Sequence, residues 1–258
     1  MRDVYELFSV EGKKAIVTGG SRGLCRAMAQ VLHDGGAEVV LVASNPDRLR
    51  AAADEMGADG TPVHWAAADL SCRDEVDRVY DEALGLLDGR LDVLVNGAGL
   101  QYRCDAADYP ADRWDAIVAV NLTATMAMAQ RAGRTMLAQG GGKIVNVASM
   151  TSFFGSVMIP AYAASKGGVA QLTKALANEW TAGGVNVNAV APGYMETALT
   201  ADMQRKNPAQ YAEVTGRIPA GRWGTPEDLD GVTLFLSSAA SDYVSGAVIP
   251  VDGGYLGK

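Results

Sequence analysis

The sequence predicts an α/β fold in which one doubly wound parallel sheet carries helices on both faces. Two patterns lead to this prediction. Short apolar runs rich in Val and Ile alternate along the chain with longer stretches whose apolar residues recur at helical spacing. Several of the short runs are apolar on both faces, as strands are when helices cover both faces of a parallel sheet.

The elements can be assigned in order along the chain. The clearest strands are predicted at residues 15–17, 39–42, 93–95, 144–147 and 185–190. Helices are predicted between and after them, at residues 23–34, 46–56, 73–87, 111–138, 161–181 and 226–238. Asn45 before Pro46, and Thr225 before Pro226, are typical of a helix cap followed by a first-turn proline.

The length allows one large domain. At 258 residues the chain can bury a sizeable core, and neither a Pro- or Ser-rich linker nor an internal repeat divides it. We therefore expect a single domain over residues 1–258. Residues 196–221 lack a clear period, and we expect this segment to form a mobile flap over the site.

The composition favours a small-molecule partner. Lys and Arg number 22 against 30 Asp and Glu, and the formal net charge of −8 argues against binding to nucleic acid or an anionic membrane. Acidic residues occupy the N-terminus where a signal peptide needs an apolar run, and no stretch is apolar over the ~20 residues of a membrane span. We therefore expect a cytoplasmic protein.

The cysteines and histidines do not predict a metal site. Cys25, Cys72 and Cys104 fit neither a disulfide framework nor the spacing of zinc ligands. His33 and His64 are isolated from them and from each other. We expect surface or core roles for these side chains.

A glycine-rich turn joins the first predicted strand to the first predicted helix. It reads Thr18-Gly19-Gly20-Ser21-Arg22-Gly23-Leu24-Cys25. Glycines in such a turn let the backbone approach a pyrophosphate, whose charge then meets the amides and the positive end of the helix dipole. The turn predicts a dinucleotide site in a Rossmann-like sheet.

The end of the second predicted strand indicates which coenzyme binds. A carboxylate there would bind the adenine ribose diol and repel a 2′-phosphate, but Ala43, Ser44 and Asn45 are neutral. Arg22 in the glycine turn could pair with such a phosphate, or it could be a solvated loop residue. The residues favour NADP over NAD.

A hydroxyl, a phenol and an ammonium group are candidates for proton transfer. Tyr162 and Lys166 lie four residues apart and share a helix face, although such pairs also occur on solvated helices. A free phenol has a pKa of ~10, and a neighbouring cation favours the phenolate. With Ser149, the pair could surround one reacting oxygen.

Six motifs in order make the chain resemble the short-chain dehydrogenase/reductase family. The resemblance runs from about Phe8 to the C-terminus and rests on Thr18-Gly19…Gly23, Asn96-Gly97-Ala98-Gly99, Asn121, Ser149, Tyr162…Lys166 and Pro192-Gly193…Thr197. It implies an enzyme that moves a hydride between a nicotinamide coenzyme and a secondary alcohol or ketone, on a polyol or a sugar acid.

The resemblance implies a role for each catalytic residue. Tyr162 would be the general acid/base, and Ser149 would bind the same substrate oxygen. Lys166 would hold the nicotinamide ribose and lower the pKa of Tyr162, and Asn121 would position a water that passes protons through Lys166. The coenzyme itself would carry the hydride that is transferred.

The resemblance also implies which residues bind the coenzyme. Asp69 matches the position that contacts adenine, Asn96 and Gly99 line the adenosine side, and Thr197 contacts the nicotinamide carboxamide. The full expected set is Gly19, Ser21, Arg22, Gly23, Leu24, Ser44, Asn45, Asp69, Leu70, Asn96, Ala98, Gly99, Tyr162, Lys166, Pro192, Gly193 and Thr197.

Two positions depart from the family pattern. Cys25 stands where the family usually has the third glycine of the turn, and the small side chain should tighten packing without abolishing the site. Gly97 stands where a second asparagine is more frequent, which should loosen that loop entropically. We expect weaker coenzyme affinity at most.

Within the family the chain is most similar to the sugar-acid dehydrogenases, some of which favour NAD. The similar stretches are residues 142–150, 177–180, 191–195 and 217–224. A sugar acid needs a cation for its carboxylate, and Arg103 follows the loop at the carboxyl edge of the sheet. We expect Arg103 to bind it, unless it forms a surface salt bridge, and Gln101, Met150 and Tyr194 to shape the pocket.

The sequence is also compatible with two other functions. One alternative is reduction of a 3-oxoacyl thioester, and the other is a nucleotide-binding regulatory protein without catalysis. The second has no need of the Ser149, Tyr162 and Lys166 set. The resemblance further implies a homotetramer formed through residues 111–138 and 161–181 and through a C-terminal strand near 248–252.

Overall fold

A computed structural model describes residues 4–197, 200 and 205–257, apart from the side chain of Asp59. Seven parallel strands form one sheet in the order β3-β2-β1-β4-β5-β6-β7. The strands are β1 (Lys14–Thr18), β2 (Glu38–Ala43), β3 (His64–Ala67), β4 (Val93–Asn96), β5 (Gly142–Val147), β6 (Val185–Pro192) and β7 (Val248–Val251). The predicted doubly wound parallel sheet is confirmed.

Helices cover both faces of the sheet. They are α1 (Val4–Leu7), α2 (Gly23–Asp34), α3 (Pro46–Met56), α4 (Arg73–Leu86), α5 (Ala111–Val118), α6 (Ala124–Gln139), α7 (Pro160–Trp180), α8 (Pro208–Arg217) and α9 (Asp230–Ser237). Apolar side chains of α4, α6 and α7 pack on one face, and those of α2, α3 and α9 pack on the other. Almost all residues of β1, β2, β4, β5 and β6 are buried between the two layers, whereas those of β3 and β7 at the sheet edges are mostly half-buried.

The sheet reverses its winding direction between β1 and β4. These strands are neighbours although two strand and helix units separate them in the chain, and Thr18 at the end of β1 pairs with Asn96 at the end of β4. Connections leave the two strands toward opposite faces, so a crevice opens at their carboxyl ends. Most of the predicted binding and catalytic residues lie on the loops and helix starts that follow the carboxyl ends of the strands.

Two predicted helices differ from the structure. The predicted helix at 111–138 is interrupted by a π-helical turn at Ala119–Thr123, between α5 and α6. The predicted helix at 226–238 begins as a 3₁₀ turn, Pro226–Leu229, and continues as α9. Neither change follows from a Gly or Pro inside the helix, so apolar spacing alone could not locate it.

The predicted flap at 196–221 is partly a packed helix. Helix α8 places Tyr211 in a stack on Trp223, with ring centroids 4.8 Å apart. The indole Nε1 of Trp223 also donates a hydrogen bond to Thr215 at 2.9 Å. Residues 198–199 and 201–204 of the predicted flap lie outside the described residues.

No helix among the described residues is long and apolar enough to cross a membrane.

Candidate active site

Ser149, Tyr162 and Lys166 converge at the carboxyl end of β5. Ser149 lies just beyond the strand, where it starts a 3₁₀ turn, and the other two lie one helical turn apart near the start of α7. The Ser149 hydroxyl is near enough to the Tyr162 phenol to lower its pKa. The Lys166 Nζ lies 5.7 Å from the Tyr162 ring centroid. The structure therefore brings the three predicted groups together.

Burial controls the acidity of Tyr162. Removal from water raises the pKa of its phenol, and the hydrogen bond from Ser149 offsets part of that rise. The net direction is opposite to the lowering that the sequence led us to expect from Lys166. Burial is the main cause of this direction. The amine of Lys166 donates a hydrogen bond at 2.6 Å to the carbonyl of Val147.

Burial also acts on Lys166. Only 4% of the residue is exposed, and loss of hydration lowers the pKa of its amine to about 8. An ordinary lysine is fully charged at physiological pH, whereas this one gives up its proton within reach of that range. The group is therefore suited to accept and release a proton.

Asn121 lies in the π-helical turn and links three segments. Its Oδ1 accepts from the amide of Leu100 at 2.7 Å, and its Nδ2 donates to the carbonyl of Leu100 at 3.0 Å. The same Nδ2 donates to Ser165 Oγ at 3.1 Å. Such π turns occur mostly at functional sites, because they displace one residue from the regular helix face. The turn here fixes Asn121 between the loop after β4 and helix α7.

The glycine turn is shaped to receive a phosphate. Gly19 and Gly23 adopt φ values of +74° and +62°, in the left-handed region that favours glycine. A Cβ on Gly19 would lie 3.0 Å from the backbone of Ala98, whereas one on Gly23 would point into open space. Arg22 at the N-cap of α2 makes no side-chain hydrogen bond to the first turn, which leaves the amides there available to an anion. Ser21 and Leu24 lie on this same turn.

The loop after β4 is held against the glycine turn. The hydroxyl of Thr18 accepts hydrogen bonds from the amides of Gly97 at 3.0 Å and Ala98 at 3.2 Å. A Cβ on Gly99 would lie 3.4 Å from Asn121 Oδ1 and 3.9 Å from Lys166 Nζ. Ala98 and Gly99 therefore lie between the phosphate turn and the catalytic groups.

The side chain of Asn96 does not face the crevice. It is buried, and its Nδ2 donates to the carbonyl of Thr125 and to Asn146 Oδ1 at 3.1 Å. Asn146 in turn donates to Thr173 Oγ1 at 2.9 Å. The Asn96 side chain therefore joins β4 and β5 to the helices behind them, which leaves the backbone of Asn96 to line the adenosine side.

The edge expected to bind the adenine ribose is neutral. Ser44 and Asn45 are exposed after β2, and Asn45 Oδ1 caps α3 by accepting from the amide of Arg48 at 2.9 Å. Its amide nitrogen remains for a ligand. Asp69 lies after β3, where its carboxylate accepts the amide and hydroxyl hydrogens of Ser71. These bonds lower the pKa of the Asp69 carboxyl, and Leu70 beside it is buried.

Pro192 ends β6, and Gly193 and Thr197 follow it. A Cβ on Gly193 would lie 2.6 Å from the Cα of Asp252, so only glycine fits against the backbone after β7. The amide of Thr197 donates to Thr200 Oγ1 at 2.8 Å, which forms a compact turn at the rim of the crevice. The chain here is placed to cover one side of a bound nucleotide.

The expected substrate residues lie on different segments. Gln101 and Arg103 are exposed, Met150 is buried in the turn after Ser149, and Tyr194 is half-buried after β6. Burial raises the pKa of the Tyr194 phenol, a nearby Tyr255 raises it further, and the positive charges of Arg217 and Arg103 lower it. Both arginines are thus within electrostatic range of Tyr194.

A cavity that the sequence did not reveal lies next to Tyr194, whose ring centroid is 5.5 Å from that of Tyr255 in the cavity wall. It measures about 500 Å³ and is lined by Phe153, Phe154, Gly216, Arg217, Tyr255 and Leu256. The guanidinium carbon of Arg217 lies 4.9 Å from the ring centroid of Tyr255. These residues come from three distant segments and form no local motif, so only their aromatic character was visible in the sequence.

These features fit a dinucleotide. The strand, glycine turn and helix supply amides for a pyrophosphate, and Gly19 and Gly193 mark places where the backbone comes too close for a side chain. The described residues contain no group of three or more His, Cys, Asp or Glu that could hold a metal ion. The arrangement can exchange a proton with one oxygen near Ser149 and Tyr162 while a coenzyme carries electrons.

Comparison with known proteins identifies the family. The family model described as short chain dehydrogenase matches residues 13–208. A 2-dehydro-3-deoxy-D-gluconate 5-dehydrogenase of Bacillus subtilis is 41% identical over 99% of both chains. A gluconate 5-dehydrogenase of Gluconobacter oxydans is 38% identical over 96% of both.

A solved structure agrees with these relatives. Gluconate 5-dehydrogenase of Burkholderia cenocepacia, in complex with NADP and tartrate, has a TM-score of 0.93 and 35% identity. The alignment covers 99% of this chain and 100% of that one. The predicted resemblance, including its sugar-acid branch, is confirmed. The chain is an enzyme of the short-chain dehydrogenase/reductase family.

Proposed function

We propose that this enzyme interconverts a secondary alcohol and a ketone on a sugar acid, with a nicotinamide coenzyme as hydride carrier. The observation that carries the proposal is the convergence of Ser149, Tyr162 and Lys166 beside the glycine turn. The names of the relatives from Bacillus subtilis and Gluconobacter oxydans support the substrate class. One domain spanning residues 1–258 carries both the binding and the catalytic residues.

In the proposed chemistry, each of the four residues has its own part in moving a proton to or from the substrate oxygen. Tyr162 donates its phenolic proton to the carbonyl oxygen during reduction and takes it back during oxidation, while Ser149 hydrogen bonds to that oxygen. The bound coenzyme supplies or accepts the hydride. Lys166 holds the nicotinamide ribose and replaces the proton of Tyr162, and Asn121 orients the path by which Lys166 exchanges with solvent.

NADP is the coenzyme that we propose. Ser44 and Asn45 put no carboxylate at the edge where a 2′-phosphate would lie, and Arg22 is exposed on the adjoining turn. A related structure contains NADP, which supports the same choice. The remaining expected coenzyme residues, apart from the Asn96 side chain, keep their proposed roles.

Arg103 is the proposed partner of the substrate carboxylate, with Gln101, Met150 and Tyr194 around it. Its charge lowers the pKa of the Tyr194 phenol, as does that of Arg217, which lines the cavity. A cavity of about 500 Å³ with a cation and aromatic walls suits a compact anionic substrate. The same cavity suits a long acyl thioester less well, so reduction of a 3-oxoacyl thioester is the second candidate. A regulatory protein without catalysis has no use for a buried lysine beside a phenol.

We propose a cytoplasmic homotetramer. Strand β7 lies at the edge of the sheet, and an unpaired edge strand is a surface that proteins cover. Trp114 on α5 is 41% exposed, which is high for a large aromatic side chain. All three cysteines are free, as in proteins of a reducing compartment.

Tyr162→Phe should abolish proton transfer but leave the coenzyme site intact. We expect turnover to fall about 10²- to 10⁴-fold, because the phenolic hydrogen is the one that reaches the substrate oxygen. Initial rates are followed at the absorbance of the reduced nicotinamide, and coenzyme Kd is measured by calorimetry. Tyr243→Phe, at a fully exposed tyrosine, is the matched control. An unchanged rate would remove Tyr162 from the mechanism.

The buried amine of Lys166 should make stability depend on pH. The folded-state pKa of about 8 lies below the ordinary lysine value of 10.5, so between these values the unfolded chain binds a proton that the folded chain does not. Below pH 8 the folded protein bears the whole free-energy cost of burying the charged amine. This cost to stability disappears as the pH rises to 10.5. We therefore expect the unfolding free energy of the wild type, relative to Lys166→Met, to increase across this window.

Urea unfolding without coenzyme at fixed protein concentration measures this difference. Lys174→Met, at an exposed lysine of the same helix, is the control and should show no such trend. A wild-type minus Lys166→Met difference that stays flat from pH 8 to 10.5 would mean that the lysine is not held as described.

Arg103→Ala should weaken binding of acidic sugars only. Loss of a charge-assisted hydrogen bond raises the KM for a sugar acid about tenfold or more, while the KM for a neutral polyol stays unchanged. Arg217→Ala tests the second cation, and Arg134→Ala, on the exposed face of α6, is the control. If Arg103→Ala leaves the KM of the acidic sugar unaltered, the carboxylate assignment fails.

Light scattering tests the assembly. We expect the mass of four chains for the wild type. We expect Trp114→Asp to dissociate at a protein concentration at least about tenfold higher than the wild type, because a Trp buried at an interface contributes strongly to the binding free energy. Tyr243→Asp is the exposed control. The mass of a single chain for the wild type would contradict the proposal.

A further inference from the structure

Cys25 and Gly97 meet at the base of the crevice. Cys25 lies in the first turn of α2, and Gly97 lies in the loop after β4, 72 residues away in the chain. A Cβ built on Gly97 would lie only 2.0 Å from Cys25 Sγ. No pair of atoms of these kinds tolerates such a distance, so the thiol occupies the place that a side chain at position 97 would need.

The space around Gly97 is closed on its other sides as well. The same Cβ would lie 3.1 Å from the carbonyl oxygen of Thr18 and 3.2 Å from Val147 Cγ2. The carbonyl of Thr18 belongs to the backbone, and Val147 is the last residue of β5. Of the three neighbours, the thiol is by far the closest, and it can be removed without a change of backbone.

The thiol also binds the loop directly. Cys25 Sγ lies 3.4 Å from the carbonyl oxygen of Gly97 and donates a weak hydrogen bond to it. Burial raises the pKa of the thiol to about 11, so the group remains protonated and can serve as a donor at any physiological pH. Its role is therefore contact with the loop and not nucleophilic chemistry.

We propose that Cys25 and Gly97 form one complementary pair, in which the cysteine fills the volume that the glycine leaves, and that this pair positions the loop at 97–99 for coenzyme binding. The two departures from the family pattern, each of which alone should weaken the site, compensate each other. Neither residue is expected to touch the reacting atoms. Both are positioning residues.

The loop carries this effect to the catalytic groups. Thr18 fixes the amides of Gly97 and Ala98, and Gly99 lies against Asn121 Oδ1 and Lys166 Nζ. A displacement of residue 97 therefore changes the surface that receives the nucleotide and the space around Lys166. The proposal rests on coenzyme binding by this family member and not on the identity of the substrate.

A double-mutant cycle tests the pair. We expect Gly97→Asn to raise the coenzyme Kd about tenfold or more, because the new side chain collides with the thiol. Cys25→Gly should weaken binding less, by leaving a small void. The double variant Cys25→Gly with Gly97→Asn should return the Kd to within about threefold of the wild type. The Kd is measured by calorimetry with NADP and with NAD, without substrate.

Three further readouts separate positioning from a general loss of structure. The thermal midpoint without coenzyme should fall in Gly97→Asn and recover in the double variant. The KM for coenzyme should change across the variants, while the KM for substrate does not. Gly85→Asn is the matched control, since Gly85 is helical in α4 and a Cβ there meets nothing within 4 Å. Gly97→Ala, alone and with Cys25→Gly, provides a smaller collision if Gly97→Asn does not fold.

The outcome is decisive in each case. Recovery of coenzyme binding or of folding in the double variants supports the pair. The proposal is overturned if the losses of coenzyme affinity in the two single variants simply add in the double variant. It is also overturned if the double variant fails to fold while Cys25→Gly folds. Absence of turnover on sugar acids in all four proteins would count against the proposed substrate class and would leave the coenzyme measurements interpretable.

Discussion

The hydrogen bond from Lys166 to the carbonyl of Val147 joins the catalytic helix to the centre of the sheet. Its donor and acceptor are 2.6 Å apart, and the amine is almost fully removed from water. An amine is costly to bury unless it is hydrogen bonded, so this contact fixes where α7 begins relative to β5. Tyr162 lies one turn earlier on the same helix, and its position follows from that of Lys166.

Burial then moves both titrating groups toward their neutral forms. It raises the pKa of the Tyr162 phenol and lowers that of the Lys166 amine. The phenol therefore holds its proton at neutral pH, as a donor to a carbonyl oxygen must. The amine, with a pKa of about 8, can pass protons in either direction near that pH. One physical cause gives the two groups complementary roles.

Polar side chains inside the protein keep the site in register. The hydrogen bonds from Asn96 to Asn146 and from Asn146 to Thr173 run from β4 through β5 to α7. The π turn around Asn121 adds a second connection, to the loop after β4 and to Ser165. Buried polar groups are stable only when paired, so these networks restrict how the strands and helices can shift.

The sequence by itself determined the fold class and most element positions, and it singled out the residues that we propose to be catalytic. Runs that are apolar on both faces fit only a covered parallel sheet, and a four-residue spacing places Tyr162 and Lys166 on one helix face. Those are local signals, which the order of residues carries directly.

The tertiary structure decided what distant residues do to one another. It turned Asn96 inward, directed Lys166 to a backbone carbonyl, assembled the cavity around Arg217 and brought Cys25 against Gly97. None of these contacts has a sequence period, because each joins segments that meet only after the sheet has formed. Their energies depend on burial and distance, which no linear pattern contains.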